Sequence, residues 1–337
     1  MNYSNYIYIN TDYLIENITN FKKHYPYTYY ILDVSNNAFI HGMYSILSIE
    51  NKIDYLYVHN FNDVLYIRKY NQEIPIIYDG DILENNFFDL VLNNVILTIK
   101  DIKTFQYILS IKDKDNIELL LEIDSKGYNG FSKKEDIRSI IEALENKKHL
   151  HILGIKSNIL EKDYYDFTSL ISPLKDLKLK ILNSELDMHK IKGSNAILLD
   201  SSIYGISNKK KPLKKEQITL KQAFTLYSKI INIVSISKKK KTIYEGIIPF
   251  GYKNGMNPEI KKVYIHNKLY NIKEIKDDIT IISLDNTISI GEIVEITSEN
   301  NKIANYKIKH PLYSLGQFNS NVPYIYKDYV IEKTFVF

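Results

Sequence analysis

Residues Ile31–Met43 read ILDVSNNAFIHGM, and this stretch decides the fold. Its first part, ILDVS, is an apolar run typical of a buried strand, and a polar turn follows it. A helix is predicted to begin after His41-Gly42. A strand that runs through a turn into a helix is the unit of an α/β barrel, in which chemistry is placed where the strands end. Ser35 stands at that strand end.

The same rhythm repeats along the first part of the chain. Eight short apolar stretches occur before residue 205: Tyr29–Val34, Tyr55–Val58, Ile74–Tyr78, Val95–Ile99, Ile117–Ile123, Leu150–Ile155, Leu179–Leu182 and Ala196–Leu199. Near-continuous apolar runs are what a parallel strand covered on both faces requires. Amphipathic helices are predicted between them, for example over Ser132–Asn146, and an opening helix over Tyr13–Phe21 is predicted to be capped by Thr11-Asp12. Eight such units predict an α/β fold, a (β/α)₈ barrel.

The pattern changes at the lysine-rich stretch Ser207–Glu216. Predicted strands then follow one another: Ile230–Ile236, Thr242–Ile248, Lys261–Ile265, Thr280–Ser283, Glu292–Thr297, Lys302–Ile308 and Val330–Phe337. Turn signals such as His266-Asn267-Lys268 separate them. We therefore predict a barrel over residues 1–206, a linker over 207–217 and a mostly β domain over 218–337.

Composition excludes several classes of protein. The chain has 337 residues, 45% of them hydrophobic and 25% charged, with a net charge of +4 and no cysteine. Without cysteine there are no disulfides, thiolate metal sites or cysteine nucleophiles. No apolar run approaches the roughly 18 residues that a membrane span needs, and no signal peptide is recognisable. We expect a cytoplasmic protein.

Nucleic-acid and metal sites are not predicted. The basic runs Lys209–Lys211 and Lys238–Lys241 lack interleaved aromatic residues or a recognisable nucleic-acid-binding module, so they are interpreted as solvated loops. His149 and His151 share one face of a strand, but no further metal ligands accompany them. Glycine-rich phosphate loops and the common hydrolase and metalloprotease motifs are missing.

Several separated fragments resemble one known family in the correct order. They are Asn37–Gly42 against V-K-A-N-A-Y-G-H-G, IDSKGYNGF at Ile123–Phe131 against D-T-G-M-N-R-L-G-F, the pair Asn183-Ser184, Ile203–Gly205 against L-Y-G, IPFGYKNGM at Ile248–Met256 against V-P-I-G-Y-A-D-G-Y, and NVPYIY at Asn321–Tyr326 against R-V-P-R-x-Y. The chain thus resembles the alanine racemase family. This resemblance implies a barrel followed by a β domain.

The resemblance also implies a cofactor site, from which key residues are missing. In the family, pyridoxal phosphate is held by a lysine and faces an arginine through its ring nitrogen. Here Ser35 stands at the lysine position, and a serine cannot form a Schiff base. Leu198 stands at the arginine position, Asn158 at that of a histidine near the ring, and Ser320 at that of a tyrosine on the phosphate. The loop that carries the family's catalytic tyrosine is reduced to Ser235–Thr242, which contains no tyrosine.

Other positions of the family's site are kept. The positions that resemble its phosphate and ring contacts are Phe39, Asn183, Ser184, Tyr204 and Gly205, together with Tyr252 and Asp278. Each also has a structural interpretation: the glycine sets a turn, the tyrosines pack, Ser184 caps a helix and Asp278 caps a turn.

Lys156 is an alternative Schiff-base lysine. It precedes Ser157-Asn158 at the end of a predicted strand, and strand alternation places it on the same side as Asn158, toward the barrel interior. A buried lysine can act as a nucleophile. The competing interpretation is that it reaches the barrel mouth or pairs with a carboxylate such as Asp33 or Asp124.

Three functions follow as hypotheses. The first is a family member that has lost racemisation, with no catalytic residues and no cofactor, serving as a binding or dimerisation module. It would form a homodimer, or pair with an active racemase and regulate it. The second is an active racemase that converts L-alanine to D-alanine for cell-wall precursors with a rearranged pyridoxal phosphate site. The third is a barrel that binds a phosphorylated small molecule through Ser184.

Overall fold

The computed structural model describes residues 4–35, 38, 41–47, 49–111, 115–157, 159, 163–174, 177–182, 192–205, 218–238, 241–300, 322–326 and 329–331. These form two compact units. The barrel unit comprises Tyr25–Ser35 and Glu50–Asp200, and the β unit comprises Met1–His24, Asn36–Ile49 and Ser201–Phe337. The domain bounds at 206 and 217 stay a prediction, since residues 206–217 lie outside the described part of the chain.

Strands and helices are numbered along the chain. The strands are β1 (Tyr6–Ile9), β2 (Tyr29–Asp33), β3 (Tyr55–Val58), β4 (Ile76–Tyr78), β5 (Val95–Ile99), β6 (Ile117–Glu122), β7 (Leu150–Lys156), β8 (Leu179–Ile181), β9 (Ala196–Leu199), β10 (Phe224–Lys229), β11 (Asn232–Lys238), β12 (Lys241–Ile248), β13 (Lys262–Ile265), β14 (Lys268–Ile275), β15 (Thr280–Leu284), β16 (Ile293–Thr297), β17 (Tyr324–Tyr326) and β18 (Tyr329–Ile331). The α-helices are α1 (Thr11–His24), α2 (Met43–Leu47), α3 (Phe61–Tyr70), α4 (Phe87–Leu92), α5 (Ile102–Ser110), α6 (Lys134–Leu144) and α7 (Tyr164–Leu170).

The barrel unit contains the eight predicted parallel strands. They pair in the order β8-β7-β6-β5-β4-β3-β2-β9, every pair parallel. The two ends of this order meet where the Asn195 N–H donates to the Lys180 carbonyl over 3.2 Å. All eight apolar stretches are therefore strands, and the (β/α)₈ prediction is confirmed. The helix predicted over Ser132–Asn146 is α6.

Alternate residues of these strands face the barrel interior and pack there as an apolar layer. Its buried members are Ile31, Tyr55, Tyr57, Ile77, Ile96, Leu120, Leu153, Leu179, Ile181, Ala196 and Leu198, with Tyr29 packed against them. Because side chains alternate between the two faces of a strand, the residue two positions later returns to the interior. The side chains that follow the apolar layer toward the strand ends thus share the barrel mouth.

The β unit contains one sheet of ten strands in the order β11-β12-β15-β14-β13-β16-β10-β1-β17-β18. Four of these strands, β1, β10, β14 and β17, were not predicted from the sequence. The predicted turn at His266-Asn267 is confirmed, and it joins β13 to β14 as a hairpin with φ values of 44° and 62° at these two residues. Two positive φ angles match the right-handed twist of a two-residue hairpin. The predicted strand Lys302–Ile308 lies outside the described residues.

Helix α1 is longer than predicted, and its cap is a different residue. The Asn10 Oδ1 accepts a hydrogen bond from the Asp12 N–H over 3.1 Å, so Asn10 takes the capping role that was predicted for Thr11-Asp12. Asn17, in the middle of this helix, is fully buried. Its amide donates to the carbonyls of Ile203 and Lys221 over 2.7 and 2.8 Å and accepts from the Lys221 N–H. The helix is thereby anchored within the β unit.

None of the helices described by the structure combines the length and the apolar character needed to cross a membrane.

Candidate functional site at the barrel mouth

Ser35 lies two residues after β2, at the mouth of the barrel. Its backbone N–H donates to Asp33 Oδ1 over 2.9 Å, which turns the chain away from the strand direction. Its side chain offers a hydroxyl and no amine. This is the position that the family resemblance assigns to the cofactor lysine.

Leu198 lies in β9 and belongs to the apolar layer. Its side chain is 5% exposed. A hydrocarbon side chain among hydrocarbon neighbours has no donor or acceptor to offer a ring nitrogen. This is the position that the resemblance assigns to the arginine.

Lys156, the last residue of β7, forms ion pairs with two carboxylates. Its Nζ lies 2.8 Å from Glu122 Oε2 and 3.5 Å from Asp79 Oδ2. It also lies 5.1 Å from the centre of the Tyr57 ring. The prediction that this lysine reaches a carboxylate at the mouth is confirmed, but Asp33 and Asp124 are not the partners found.

Asp124 instead organises the loop after β6. Its carboxylate accepts hydrogen bonds from the backbone N–H groups of Lys126, Tyr128 and Asn129 over 2.9 to 3.0 Å. Burial alone would raise the pKa of Asp124, but these backbone donors outweigh it and hold the pKa below its usual range. The loop that resembles D-T-G-M-N-R is therefore shaped by its aspartate.

Six ionisable side chains, one following or ending each of the strands β2–β7, form what we call the mouth layer: Asp33, His59, Asp79, Lys100, Glu122 and Lys156. Strand alternation explains the arrangement. Asp33, His59, Asp79 and Glu122 each stand two positions after a member of the apolar layer. The mouth layer is thus the next tier of the barrel interior.

His59 lies between two carboxylates. Its Nε2 is 3.7 Å from Asp33 Oδ2 and its Nδ1 is 3.6 Å from Asp79 Oδ2. The nearby carboxylates, Asp33 first and then Asp79, raise the pKa of His59, although burial and the charge of Lys156 oppose them. The imidazole therefore favours its protonated form more than a free histidine does.

Asp79 is the centre of the mouth layer. Its Oδ1 lies 2.9 Å from Lys100 Nζ, which also donates to the Asp79 backbone carbonyl over 3.2 Å. Burial would raise the pKa of Asp79, yet Lys156, the Tyr57 hydroxyl and Lys100 together lower it. For Glu122, burial dominates and raises the pKa in spite of Lys156. The pKa of Asp79 is thus lowered and that of Glu122 is raised, although both carboxylates are buried.

Two hydroxyls beside this layer make no hydrogen bond of ordinary geometry within the described residues, although one of them lies near enough to Asp79 to lower its pKa. They belong to Tyr57 and Thr98, which are 1% and 2% exposed. Burial, followed by the nearby charge of Asp79, raises the pKa of Tyr57, so this hydroxyl stays neutral. A buried hydroxyl without a partner costs about 1–3 kcal/mol. The barrel mouth therefore contains buried hydroxyl groups whose hydrogen-bonding capacity is not used by the neighbouring side chains.

Tyr204 and Gly205 take packing and turn positions in the β unit. The Tyr204 ring stacks on His41 at 4.2 Å between centres and is fully buried. Gly205 has a φ of +79°, and a Cβ there would come within 2.0 Å of the Lys221 carbonyl oxygen. These observations agree with the structural interpretation of both residues, while their role toward a cofactor stays a prediction.

The other positions from the resemblance are placed as follows. Tyr252 is 48% exposed in a 3₁₀ turn, and Asp278 pairs with Lys253 at 3.2 Å. The described part of Ser235–Thr242 belongs to β11 and β12, which pair as a hairpin. Five site positions lie outside the described residues: Phe39, Asn158, Asn183, Ser184 and Ser320.

Sequence reasoning missed most of the mouth layer, although a signal was present. His59, Asp79 and Lys100 each directly follow a predicted apolar stretch and received no role from the sequence. Counting two positions onward from an inward-facing residue would have placed them on the barrel interior. Their mutual pairing depends on the order of neighbouring strands, which a single strand does not reveal.

Within the described part of the chain, no three histidine or acidic side chains are grouped so that they could hold a metal ion.

Comparison with known proteins gives one consistent result. A family model described as "Alanine racemase, N-terminal domain" matches residues 9–197. A curated alanine racemase of Borreliella burgdorferi (strain ZS7) is 24% identical, with 87% of this chain and 88% of that protein covered. The alanine racemase of Clostridium difficile 630 in complex with cycloserine superposes with a TM-score of 0.84 at 18% identity, covering 99% of both chains. That of Bacillus anthracis with bound L-Ala-P gives a TM-score of 0.79 at 17% identity, covering 99% of this chain and 98% of that one. The fold is that of a parallel eight-stranded barrel followed by a mostly β C-terminal half-barrel.

Proposed function

The chain belongs to the alanine racemase family, and we propose that it has lost pyridoxal-phosphate-dependent racemisation and serves as a non-catalytic binding or dimerisation protein. The family uses pyridoxal phosphate, which acts as an electron sink while the protein holds and orients it. Fold and family do not decide activity, because the chemistry depends on the residues at the site.

Ser35 carries this proposal. A Schiff base requires a primary amine, and the hydroxyl of Ser35 cannot replace it. In the family the same lysine also moves the substrate proton. One substitution at this position therefore removes both the attachment point and a base.

Leu198 adds independent support. An arginine at this position would place its charged group in the apolar layer, in which Leu198 is packed. Placing an unpaired guanidinium there costs several kcal/mol. The residues at these two positions do not fit pyridoxal phosphate as the family binds it, so we derive no reaction step through the cofactor.

The alternative is an active racemase that uses Lys156 as its Schiff-base lysine. This residue favours the alternative in one respect, since its amine lies at the barrel mouth and is only partly exposed. Its Nζ, however, is engaged by both Glu122 and Asp79. These contacts must break before the nitrogen can attack a carbonyl carbon. Loss of several members of a catalytic set leaves little of its rate enhancement.

A trapping experiment separates the two hypotheses. Purified protein is mixed with pyridoxal phosphate, reduced with borohydride and weighed by mass spectrometry, with an active alanine racemase treated in parallel. We expect the cofactor to be fixed to the control enzyme and not to this chain, and we expect no conversion of L-alanine to D-alanine. An adduct that disappears in Lys156→Met but persists in Lys133→Met, an exposed lysine of the same unit, would overturn the proposal.

The proposed partner is a second copy of this chain or an active racemase. Light scattering after size exclusion measures the mass of the chain alone and mixed with such an enzyme. We expect a homodimer, or a mixed species whose racemase activity differs from that of the enzyme alone. A monomer that neither co-elutes with the enzyme nor alters its rate would remove dimerisation from the proposal.

A further inference from the structure

We propose that one face of the sheet in the β unit binds an arginine side chain of a partner protein, with Glu295 as the carboxylate that pairs with the guanidinium. The residues of this site all belong to the β unit. The inference needs no cofactor and does not depend on the loss of racemisation. It therefore goes beyond the proposed function and can be tested separately.

Four residues stand side by side on four neighbouring strands, and we call them the tyrosine row: Tyr264 of β13, Glu295 of β16, Tyr227 of β10 and Tyr6 of β1. Tyr264 and Tyr227 are both directly opposite Glu295, and Tyr6 is directly opposite Tyr227. Directly opposed side chains project from the same face of a sheet, with Cβ atoms about 4.5–5.5 Å apart. The carboxylate of Glu295 is therefore flanked by an aromatic residue on each side.

The tyrosine row lies on the accessible face of these strands. All four of its members are partly exposed. The residues that flank them along the strands are buried, as expected for side chains that point to the opposite face: Ile7, Val263, Ile265, Val294 and Ile296. The row thus presents aromatic rings and one carboxylate to the outside of a packed sheet.

A local irregularity in the sheet brings Glu295 into the row. Between β10 and β16, Leu226 is opposite Thr297, whereas the next residue, Tyr227, is opposite Glu295. Strand β16 therefore has one extra residue, Ile296, at this point. Such a bulge changes the direction of the neighbouring side chains and often lies next to a functional site.

Glu295 has no cationic partner within the described part of the chain. Its Oε2 is buried and takes part in no hydrogen bond there. Lys229 and Lys262 stand on the same face, opposite Ile293 and Asn271, and neither forms an ion pair with Glu295. A partly buried carboxylate without a partner is costly, and a bound cation removes that cost.

The neighbouring hydroxyls do not compensate the charge of Glu295. Burial, followed by this charge, raises the pKa of both Tyr6 and Tyr227, so the two phenols stay neutral. Their rings keep an electron-rich face, which attracts a cation. The row therefore combines one negative charge with aromatic faces on either side of it.

The geometry of the rings favours a guanidinium group. The rings of Tyr6 and Tyr227 are stacked with their centres 4.9 Å apart and their planes 29° from parallel. A planar guanidinium stacks on such rings and donates two parallel hydrogen bonds to one carboxylate. The ammonium of lysine is compact and strongly hydrated, so it gains less from this surface.

Exposed apolar side chains beside the row indicate that the arginine belongs to a protein. Leu269, opposite Tyr264, is 47% exposed, and Ile293, two residues before Glu295, is 45% exposed. Both share the face of the row. Tyrosine and arginine are enriched where protein interfaces bind most strongly, with apolar contacts around them that exclude water. A free arginine molecule would leave these two side chains uncovered.

Saturation-transfer difference NMR on the full chain at low salt tests the proposal. The probes are three blocked peptides that carry arginine, lysine or citrulline between two leucines. We expect binding of the arginine peptide, at least about fivefold weaker binding of the lysine peptide and none of citrulline, which is planar but uncharged. Equal binding of the arginine and lysine peptides would overturn the assignment of a guanidinium site.

Two variants locate the site. Glu295→Gln should weaken binding of the arginine peptide at least about tenfold, because it removes the charge-assisted pair. The control is Glu274→Gln in the same unit, at a carboxylate that is 53% exposed and lies 3.7 Å from Lys276. It should bind the peptide like the original protein. Thermal melting checks the fold, and Glu295→Gln should melt no lower than the original because Glu295 Oε2 has no partner to lose.

Three results would each contradict the inference. They are no binding of the arginine peptide by the original protein, undiminished binding by a folded Glu295→Gln variant, and equal weakening by both variants, which would show unspecific attraction by surface charge. None of them bears on the borohydride experiment, whose readout is a covalent adduct. The two proposals can therefore fail separately.

Discussion

The barrel interior contains two tiers that differ in chemistry although the same strands build both. In the apolar layer, β2 contributes Ile31, β4 contributes Ile77 and β9 contributes Leu198. Two positions further along stand Asp33, the last residue of β2, and Asp79, directly after β4. One step of the strand period thus separates residues that hold the barrel together from residues that carry charge.

This difference shows that the two tiers are constrained by different physics. The apolar layer is stabilised by close packing, and its side chains offer almost no partner to a polar or charged group. The mouth layer is stabilised by ion pairs between opposite charges. Each charged side chain therefore depends on a partner from another strand. Adding a charge to the apolar layer and removing a charge from the mouth layer should therefore both destabilise the protein. Two predictions test this, and a third concerns a buried carboxylate beside the mouth layer.

The largest effect is expected for Leu198→Arg. The guanidinium would replace a 5% exposed leucine in the apolar layer. We expect the free energy of unfolding to fall by about 3–5 kcal/mol, because the charge would be buried without a partner. Urea unfolding measures it, with Leu92→Arg as the control at a position that is 77% exposed. Equal effects at both positions would mean that the apolar layer does not exclude charge.

A smaller effect is expected for the ion pair of the mouth layer. Glu122→Gln and Lys156→Met each break the 2.8 Å contact and leave the other group buried without its main partner. We expect each to destabilise the protein by about 2–3 kcal/mol and the double variant by less than their sum.

A double-mutant cycle from urea unfolding gives the coupling of this pair. The matched comparison is Lys253 with Asp278, which lie 3.2 Å apart on the surface with side chains 62% and 70% exposed. Exposed pairs are screened by water and contribute little. A coupling for Glu122 and Lys156 no larger than that of the surface pair would contradict the view that the layer is held by its charges.

The smallest effect concerns Asp63, in the first turn of α3 beside the mouth layer. Burial raises its pKa from the usual 3.8 to about 6, although a hydrogen bond from Asn60 and the charge of His59 oppose the rise. Since the folded-state pKa lies above the unfolded one, the folded protein binds this proton more tightly. Its stabilising contribution is complete below pH 3.8 and is lost as the pH rises through 6.

Asp63→Asn should therefore raise the free energy of unfolding at pH 7 by about 1 kcal/mol and flatten its pH dependence between these values. Asparagine keeps an oxygen that can accept from the Asn60 amide. Denaturant unfolding at pH 4.5 and 7 measures the change. A variant less stable than the original at pH 7 would show that the carboxylate contributes more to the helix start than it costs by burial.

Much of the fold was predictable from the local pattern of apolar and polar residues. The eight barrel strands were recognisable because strands buried on both faces are nearly continuous in apolar residues. The strands that were missed lack this feature. β14 alternates with exposed lysine, asparagine and glutamate, and β1 is only four residues long. Its assignment depends on pairing with β10 and β17, more than 200 residues away.

The candidate site was only partly predictable. Ser35 and Leu198 were placed by resemblance, and Lys156 by strand alternation. The partners of Lys156 were predicted incorrectly: Glu122 lies directly opposite Lys156 on the neighbouring strand β6, whereas the predicted Asp124 lies two residues further on, in the loop. The alternation of side chains along one strand does not show which residue of the adjacent strand lies opposite a given position.

Local sequence determined the strand and helix segments, the family and the residue types at the positions that resemble the cofactor site. These depend on side-chain chemistry and on periods of two and 3.6 residues, which are visible in any short window. Only the tertiary structure decided that six ionisable side chains from six strands meet in one tier and which of them pair. Parallel strands joined by helices bring together residues that are tens of positions apart, and electrostatic compensation acts through space and not along the chain.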